Sequence, residues 1–272
     1  MIVVTGATGN VGRTLVRLLN EAGEQVTAVA RTITEAPEGV RPVPADLNEP
    51  ETLRPALDGA DALFLLVAGD DPEALIGQAK AAGVRKVVLL SSQGVGTRPG
   101  GAYEHAERFE AAVSGSGLEW TILRSGGMDS NAFAWAEPIR AHRTAAAPFA
   151  DVGLPFIDPD DVAAVGAAVL REDGHNAATY VLNGPAPTSP RRRAAAIADA
   201  LGEPVRFVEQ TRDEAHAQMS QFMPLPVVEG TLSILGDPTD EELRISPDVE
   251  RVLGRAPGTF AAWAARNAAA FR

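Results

Sequence analysis

The 272-residue chain contains no cysteine. That absence excludes a disulfide scaffold, a thiolate nucleophile, an iron–sulfur cluster and a cysteine zinc site. Lysine is nearly missing as well: Lys80 and Lys86 stand alone among 24 cationic residues. Tyrosine is confined to Tyr103 and Tyr180, and aromatics make up 5% of the chain. The four histidines, His105, His142, His175 and His216, lack His-x-x-x-His spacing, so no metal site is readable. No apolar run is long enough to span a bilayer. Positive charge is in deficit, with a net charge of −12. Such a chain repels nucleic acid and anionic membrane, and neither is expected as a partner. Arg191-Arg192-Arg193 is the one basic run, and in the first turn of a helix it reads as a solvated face. Met1 runs straight into Ile2-Val3-Val4, a stretch too short and too uncharged for a signal peptide, so the expected location is the cytoplasm.

What is present is globular. Hydrophobic residues make up 45% and charged residues 22%, and the length supports a large core without staples. The first half alternates between short β-branched runs and helical spacings. Strands are predicted over 2–5, 26–30, 40–43, 62–67, 86–90 and 119–123. Helices are predicted over 11–22, 51–57, 72–82 and 103–113. This alternation implies βαβ units and a parallel sheet. The second half is less regular, with helices over 160–170, 190–201 and 260–271 and strands over 178–182 and 205–208. Pro224 and Pro226 mark 221–226 as a loop that could cover a cleft.

The sharpest signal is Gly6-Ala7-Thr8-Gly9-Asn10-Val11-Gly12. It directly follows the first strand and opens the first helix. Three glycines there serve a tight turn, a close backbone approach to a pyrophosphate, and helix-on-strand packing. The helix N-terminus adds free N–H donors and a positive dipole end. A triphosphate-binding P-loop is excluded, because no lysine stands nearby. The second strand ends Ala28-Val29-Ala30-Arg31, where NAD-binding chains usually carry an acid. A guanidinium can hold a 2′-phosphate in a bidentate fork. Arg13 lies in the first helical turn, where a cation opposes the dipole unless an anion sits beside it. Arg31 and Arg13 together favour NADP(H) over NAD(H). Asp46-Leu47 follows the third strand and is placed either to contact adenine or, for Asp46, to cap the helix begun near Pro50.

The segment Thr5 to Arg13 resembles the opening of NmrA-like proteins, atypical members of the short-chain dehydrogenase/reductase superfamily. Val43-Pro44-Ala45-Asp46-Leu47, Val88-Leu89-Leu90-Ser91-Ser92, Gly117-Leu118-Glu119-Trp120-Thr121 and Pro155-Phe156-Ile157-Asp158-Pro159 carry the likeness onward, and Thr259-Phe260-Ala261-Ala262-Trp263 extends it to the C-terminal region. The resemblance implies a Rossmann-type doubly wound parallel sheet with a small C-terminal α/β substrate lobe. The expected division is 1–130 and 151–183 for the NADP(H)-binding core, and 131–150 and 184–272 for the substrate lobe. By the same likeness, Val67, Ala68, Ser91 and Ser92 would line the cofactor, and 126–131 would pass the nicotinamide. Such proteins include quinone and enone reductases, reductases of secondary-metabolite intermediates, and redox-sensing regulators without turnover.

The usual Tyr-x-x-x-Lys pair of short-chain dehydrogenases is missing. Tyr103 has Glu107 in the lysine place, where a carboxylate raises the pKa of a nearby phenol. Gly94 stands where the usual serine would be. Tyr103 and His105 remain as candidate proton donors, each with the alternative of being an ordinary packing or surface residue. Met128, Phe133, Phe149, Phe156 and Phe222 are candidates for an apolar substrate pocket, although core packing can claim such residues too. The sequence therefore predicts an NADPH-dependent reductase of a small apolar carbonyl, enone or quinone, acting as a monomer or homodimer. A dinucleotide sensor without turnover and a non-reductive isomerase or cyclase remain as alternatives.

Overall fold

A computed structural model describes residues 1–33 and 35–272. Nine strands are present among them: β1 Ile2–Thr5, β2 Val26–Ala30, β3 Arg41–Pro44, β4 Ala62–Leu66, β5 Lys86–Ser92, β6 Glu119–Ser125, β7 Thr144–Pro148, β8 Ala178–Leu182 and β9 Arg206–Gln210. Seven of them form one sheet in the order β3-β2-β1-β4-β5-β6-β8, with every neighbouring pair parallel. β1 and β4 are the sheet's middle strands, and helices cover them on both faces. They therefore read as apolar runs without alternation, Ile-Val-Val-Thr and Ala-Leu-Phe-Leu-Leu. β3 lies at the edge, where Pro42 and Pro44 are tolerated because no further strand needs their missing N–H groups.

The chain moves outward from β1 through β2 to β3, then crosses back to β4 and proceeds the other way. The strand order thus reverses between β1 and β4. In an open parallel sheet this reversal leaves a crevice at the carboxyl ends of the strands.

Helices Asn10–Glu21, Pro159–Arg171 and Asp248–Leu253 cover one face, packing Leu15, Val162 and Val249 with Phe64. Segments 50–57, 72–81 and 104–114 cover the other, around Leu63, Leu75 and Phe109. Side chains as fully buried as Leu15 typically cost about 2–5 kcal/mol when cut to alanine. Proline and a capping aspartate start two of these helices: Asp71 accepts from the Ala74 N–H at 2.8 Å, and Asp158 from the Asp160 N–H at 3.0 Å.

A second cluster is built from distant pieces of chain. Trp135, Ile139, Ala145, Ile197, Phe260, Trp263 and Phe271 pack together, and β7 pairs parallel with β9 beside them. β7 escapes sequence reading because Thr-Ala-Ala-Ala-Pro has little strand propensity, and only its pairing with β9 makes it one. Two other expectations change. The 221–226 stretch is not a loop throughout: Pro224 leads into helix Leu225–Gly236, and Pro226 occupies its first turn, where a missing N–H is harmless. Arg191 and Arg192 are exposed, as expected of a solvated face, but the turn of the helix carries Arg193 inward to 5% exposure.

Candidate functional site

The glycine loop is shaped by contacts that leave no room for side chains. Gly6 has φ +64°, and a Cβ there would overlap Leu66. A Cβ on Gly12 would overlap the carbonyl of Gly6, which fixes the first turn of helix Asn10–Glu21 against β1. The Gly9 N–H donates to the Gly6 carbonyl at 2.9 Å, and Ala7 N–H to Val29 at 3.0 Å. The helix begins at Gly9 with no side-chain cap and no acid in its first turn. Its leading N–H groups are therefore left for a ligand, and the dipole favours an anion. This is a cradle that fits a pyrophosphate.

A hollow of about 430 Å³ opens beside it, lined by Thr5, Gly6, Thr8, Gly9, Arg31, Asp46, Leu47, Asn48, Leu66 and Ala68, among others. Asp46 accepts from the Asn48 N–H at 3.0 Å, so its carboxylate shapes the hollow's own turn. The short helix at Pro50 is instead entered from Glu49. A second hollow of about 370 Å³ carries Ala7, Arg13 and Glu35, and meets the first at Thr8. Arg31 and Arg13 thus stand on adjoining hollows, both exposed. Val11 and Gly12 face the core or the backbone, and Asn10 donates from Nδ2 to Ser130 Oγ at 3.1 Å.

The groove continues from Leu66 into a hollow of about 390 Å³ lined by Val67, Leu90, Ser91, Ser92, Tyr103 and His105. Ser91 is buried and donates to Glu110 Oε1 at 2.6 Å. Arg124 grips the same carboxylate through two bonds of 3.0 and 2.6 Å. Glu110 is therefore engaged with its neighbours. His105 is exposed and rests edge-on against Phe109, with ring centroids 5.1 Å apart.

Ser92 and Tyr103 also belong to an inner cavity of about 230 Å³, lined by Gln93, Gly94, Thr97, Asn131, Phe156, Ile234, Leu235 and Glu242 among others. The three spaces thus share walls in sequence: glycine cradle, middle hollow, inner cavity. A Cβ on Gly94 would overlap the Tyr103 ring. The missing serine and the tyrosine are linked, because the phenol fills the space that a side chain at 94 needs. Burial pushes the Tyr103 hydroxyl up from its ordinary value, the Glu242 carboxylate adds to this, and Arg98 opposes it. At neutral pH the group is a protonated donor.

The candidate substrate residues separate. Phe156 lines the inner cavity, and Phe149 lines an open outer hollow of about 640 Å³ with Arg98 and Arg212. Met128 packs against the sheet core, and Phe133 lies 5.0 Å from Trp263, ring centre to ring centre, inside the second cluster. Both serve packing. A Cβ on Gly127 would lie 2.7 Å from the Phe156 ring, so glycine is needed there. Phe222 is 71% exposed and lines none of these spaces.

Behind Phe156 lies a group that the sequence did not reveal. The Arg193 guanidinium sits 3.9 Å from the Phe156 ring centre. Nearby Asp129 is wholly buried, and neither of its oxygens has a hydrogen-bond partner. Burial pushes the Asp129 carboxyl up to about 7, with Asp158 adding and Arg193 opposing. Glu242 was missed too. Thr239-x-x-Glu242 is a legible capping box, and the box forms, but its partner Arg98 lies far away in the chain.

A family model described as NAD(P)H-binding matches residues 6–173. Over its full length the chain is 35% identical to the (4-alkanoyl-5-oxo-2,5-dihydrofuran-3-yl)methyl phosphate reductase of Streptomyces griseus, covering 99% of that protein. It is likewise 34% identical to the NAD(P)H azoreductase of Xenophilus azovorans, again covering 99%. Among solved structures, it resembles an NADPH-dependent quinone oxidoreductase of Escherichia coli complexed with NADPH. The TM-score is 0.81 at 25% identity, over 98% of this chain and 99% of that one. Among the described residues, no helix is long and apolar enough to cross a membrane.

Proposed function

Because the chain belongs to the NAD(P)H-binding family, we propose that it is an NADPH-dependent reductase of a small apolar carbonyl, enone or quinone held in the inner cavity. The observation that carries this reading is the series of adjoining hollows from the glycine cradle, past Ser92 and Tyr103, to the inner cavity, each sharing lining residues with the next. When bound, the dinucleotide supplies a hydride, two electrons and a proton, to an electrophilic carbon. The chain supplies the rest. The leading N–H groups of helix Asn10–Glu21 hold the pyrophosphate, and Arg31 and Arg13 favour the 2′-phosphate. Ser92, Gly126 and Gly127 line the wall beside which the nicotinamide ring would lie. Leu154, Phe156 and Leu235 exclude water and orient an apolar acceptor. Tyr103 keeps its proton at Oη and donates it to the acceptor oxygen as negative charge builds there. His105, exposed beside Phe109, takes no part in this proposal.

In this reading, residues 1–130 and 151–183 hold the coenzyme, while 131–150 and 184–272 shape the acceptor side. Helix Asp248–Leu253 returns to pack on the coenzyme half.

The test follows NADPH consumption with a panel of quinones, enones and aldehydes. Turnover of at least one class is expected. Tyr103→Phe keeps the ring against Gly94 but removes the proton, so kcat should fall by about 10²-fold or more for carbonyls. NADPH affinity should stay the same. NADPH binding with no oxidation across the panel overturns the reading in favour of a sensor.

A further inference from the structure

The inner cavity has a charge asymmetry. Glu242 stands on its wall at 4% exposure, and among the described residues no lysine, arginine or histidine shares that wall. The counter-ion lies behind it. Arg98 donates from Nε to Oε1 at 2.7 Å and from Nη2 to Oε2 at 3.0 Å, yet Arg98 lines the outer hollow. Thr97 Oγ1 donates to Oε1 at 3.0 Å, and the Thr239 N–H donates to Oε2 at 2.8 Å. Arg98 is fixed in turn, donating to Ser233 Oγ at 2.7 Å and to the Asp237 carbonyl at 2.6 Å.

A surface carboxylate can swing away from an approaching anion. One held by four donors on a buried wall cannot. Burial works to raise the Glu242 carboxyl, but Arg98, the Thr239 N–H and Thr97 together hold it below its ordinary value. It is ionised at neutral pH. The pair is therefore a fixed dipole with its negative end toward the cavity and its positive end toward the outer hollow.

We infer that Glu242 is the specificity-determining residue of the acceptor site, a charge filter that admits neutral and cationic electrophiles and turns away anionic ones. This rests on the reductase reading for the identity of the cavity's occupant. In a space of about 230 Å³, any negative group on the acceptor lies within a few ångströms of the carboxylate. Repulsion at that range, in a partly desolvated setting, weakens binding on the order of tenfold or more even with Arg98 behind. The same field opposes a naked oxyanion on the acceptor, which makes proton donation by Tyr103 the more necessary.

The filter can be tested without turnover. Benzamidinium, benzamide and benzoate are near-isosteres of positive, neutral and negative charge. Their binding to the protein saturated with NADPH is measured by calorimetry, for the wild type and for Glu242→Gln. In the wild type, benzoate should bind on the order of tenfold or more weakly than benzamide, and benzamidinium at least as well as benzamide. Glu242→Gln should collapse that spread. Equal binding of benzoate and benzamide to the wild type overturns the inference, and so does binding of none of the three. An unchanged spread in a folded Glu242→Gln protein overturns it as well. The wild-type series needs no variant to fold. If the ordering holds while the oxidation panel is silent, the filter stands and the reductase reading falls. If the panel reacts while benzoate and benzamide bind equally, the reductase reading stands and the filter falls.

Discussion

The two ends of the groove are built by different means. The glycine-loop end is mostly backbone: seven consecutive residues, Gly6 to Gly12, make the cradle, and three of them work by having no side chain. The acceptor end is side chains drawn from segments far apart in sequence. Gly94, Tyr103, Phe156 and Glu242 meet only because the sheet, the second cluster and helix Leu225–Gly236 bring them together. A backbone site fails when a side chain is added within it, as at Gly6 or Gly12. A side-chain site is tuned one group at a time, so relatives with one coenzyme can carry different acceptor pockets.

That contrast predicts the largest effect at the backbone end. Gly12→Val places a branched Cβ against the Gly6 carbonyl, which is backbone and cannot rotate aside. The helix start must shift, and the N–H groups leave their aim. NADPH affinity should fall by at least about 100-fold, with a stability loss of about 1–3 kcal/mol from overpacking. Calorimetry and a thermal melt separate the two losses. A folded variant with wild-type affinity would show that the cradle does not hold the pyrophosphate.

The same contrast explains what was legible. The Gly6 to Gly12 loop, the strands before and after it, and Arg31 at the end of β2 are local patterns, and a local pattern survives in one dimension. β5 and β6 run two residues beyond their expected ends because Ser91, Ser92, Arg124 and Ser125 pair across the ladder despite being polar. Pro224 and Pro226 look like loop residues until one is placed before a helix and the other in its first turn. Arg193 looks solvated because nothing nearby in sequence announces Phe156, Trp135 and Asp129. Glu242 announces a cap and conceals an ion pair. Arg193 and Glu242 are misses of one kind, long-range contacts of a charged group, for which a sequence carries no period.

Asp129 offers an intermediate effect on the side-chain end. Its carboxyl is about 3.8 in the unfolded chain and is pushed up to about 7 by burial. A raised carboxyl means that the folded state holds the proton more tightly. Stability is therefore lost as pH rises from about 4 through 7, and the loss is complete above that window. Asp129→Asn removes the titration while keeping the shape. It should change little near pH 4 and stabilise the protein by on the order of 2–4 kcal/mol above pH 7. Chemical denaturation at several pH values checks this. A variant that is less stable than the wild type at pH 8 would mean that ionised Asp129 and Arg193 support each other more than burial opposes them.

The smallest effect is expected where the backbone site borrows a side chain. Arg31 closes β2 and lines the hollow beside Gly6 and Gly9, but it is exposed, and water competes for every bond that it makes. Arg31→Ala should weaken NADPH by about tenfold to a hundredfold, the range of a charged hydrogen bond, while leaving NADH affinity unchanged. Arg13 lines the adjoining hollow, where Glu35 stands on the same wall as a partner competing with any phosphate. Loss at Arg31 should therefore exceed loss at Arg13→Ala. Calorimetry with both coenzymes decides it, because a cation that merely attracts anions weakens NADH and NADPH alike. An equal loss for the two would place the 2′-phosphate away from Arg31 and would leave coenzyme choice to the hollow's shape.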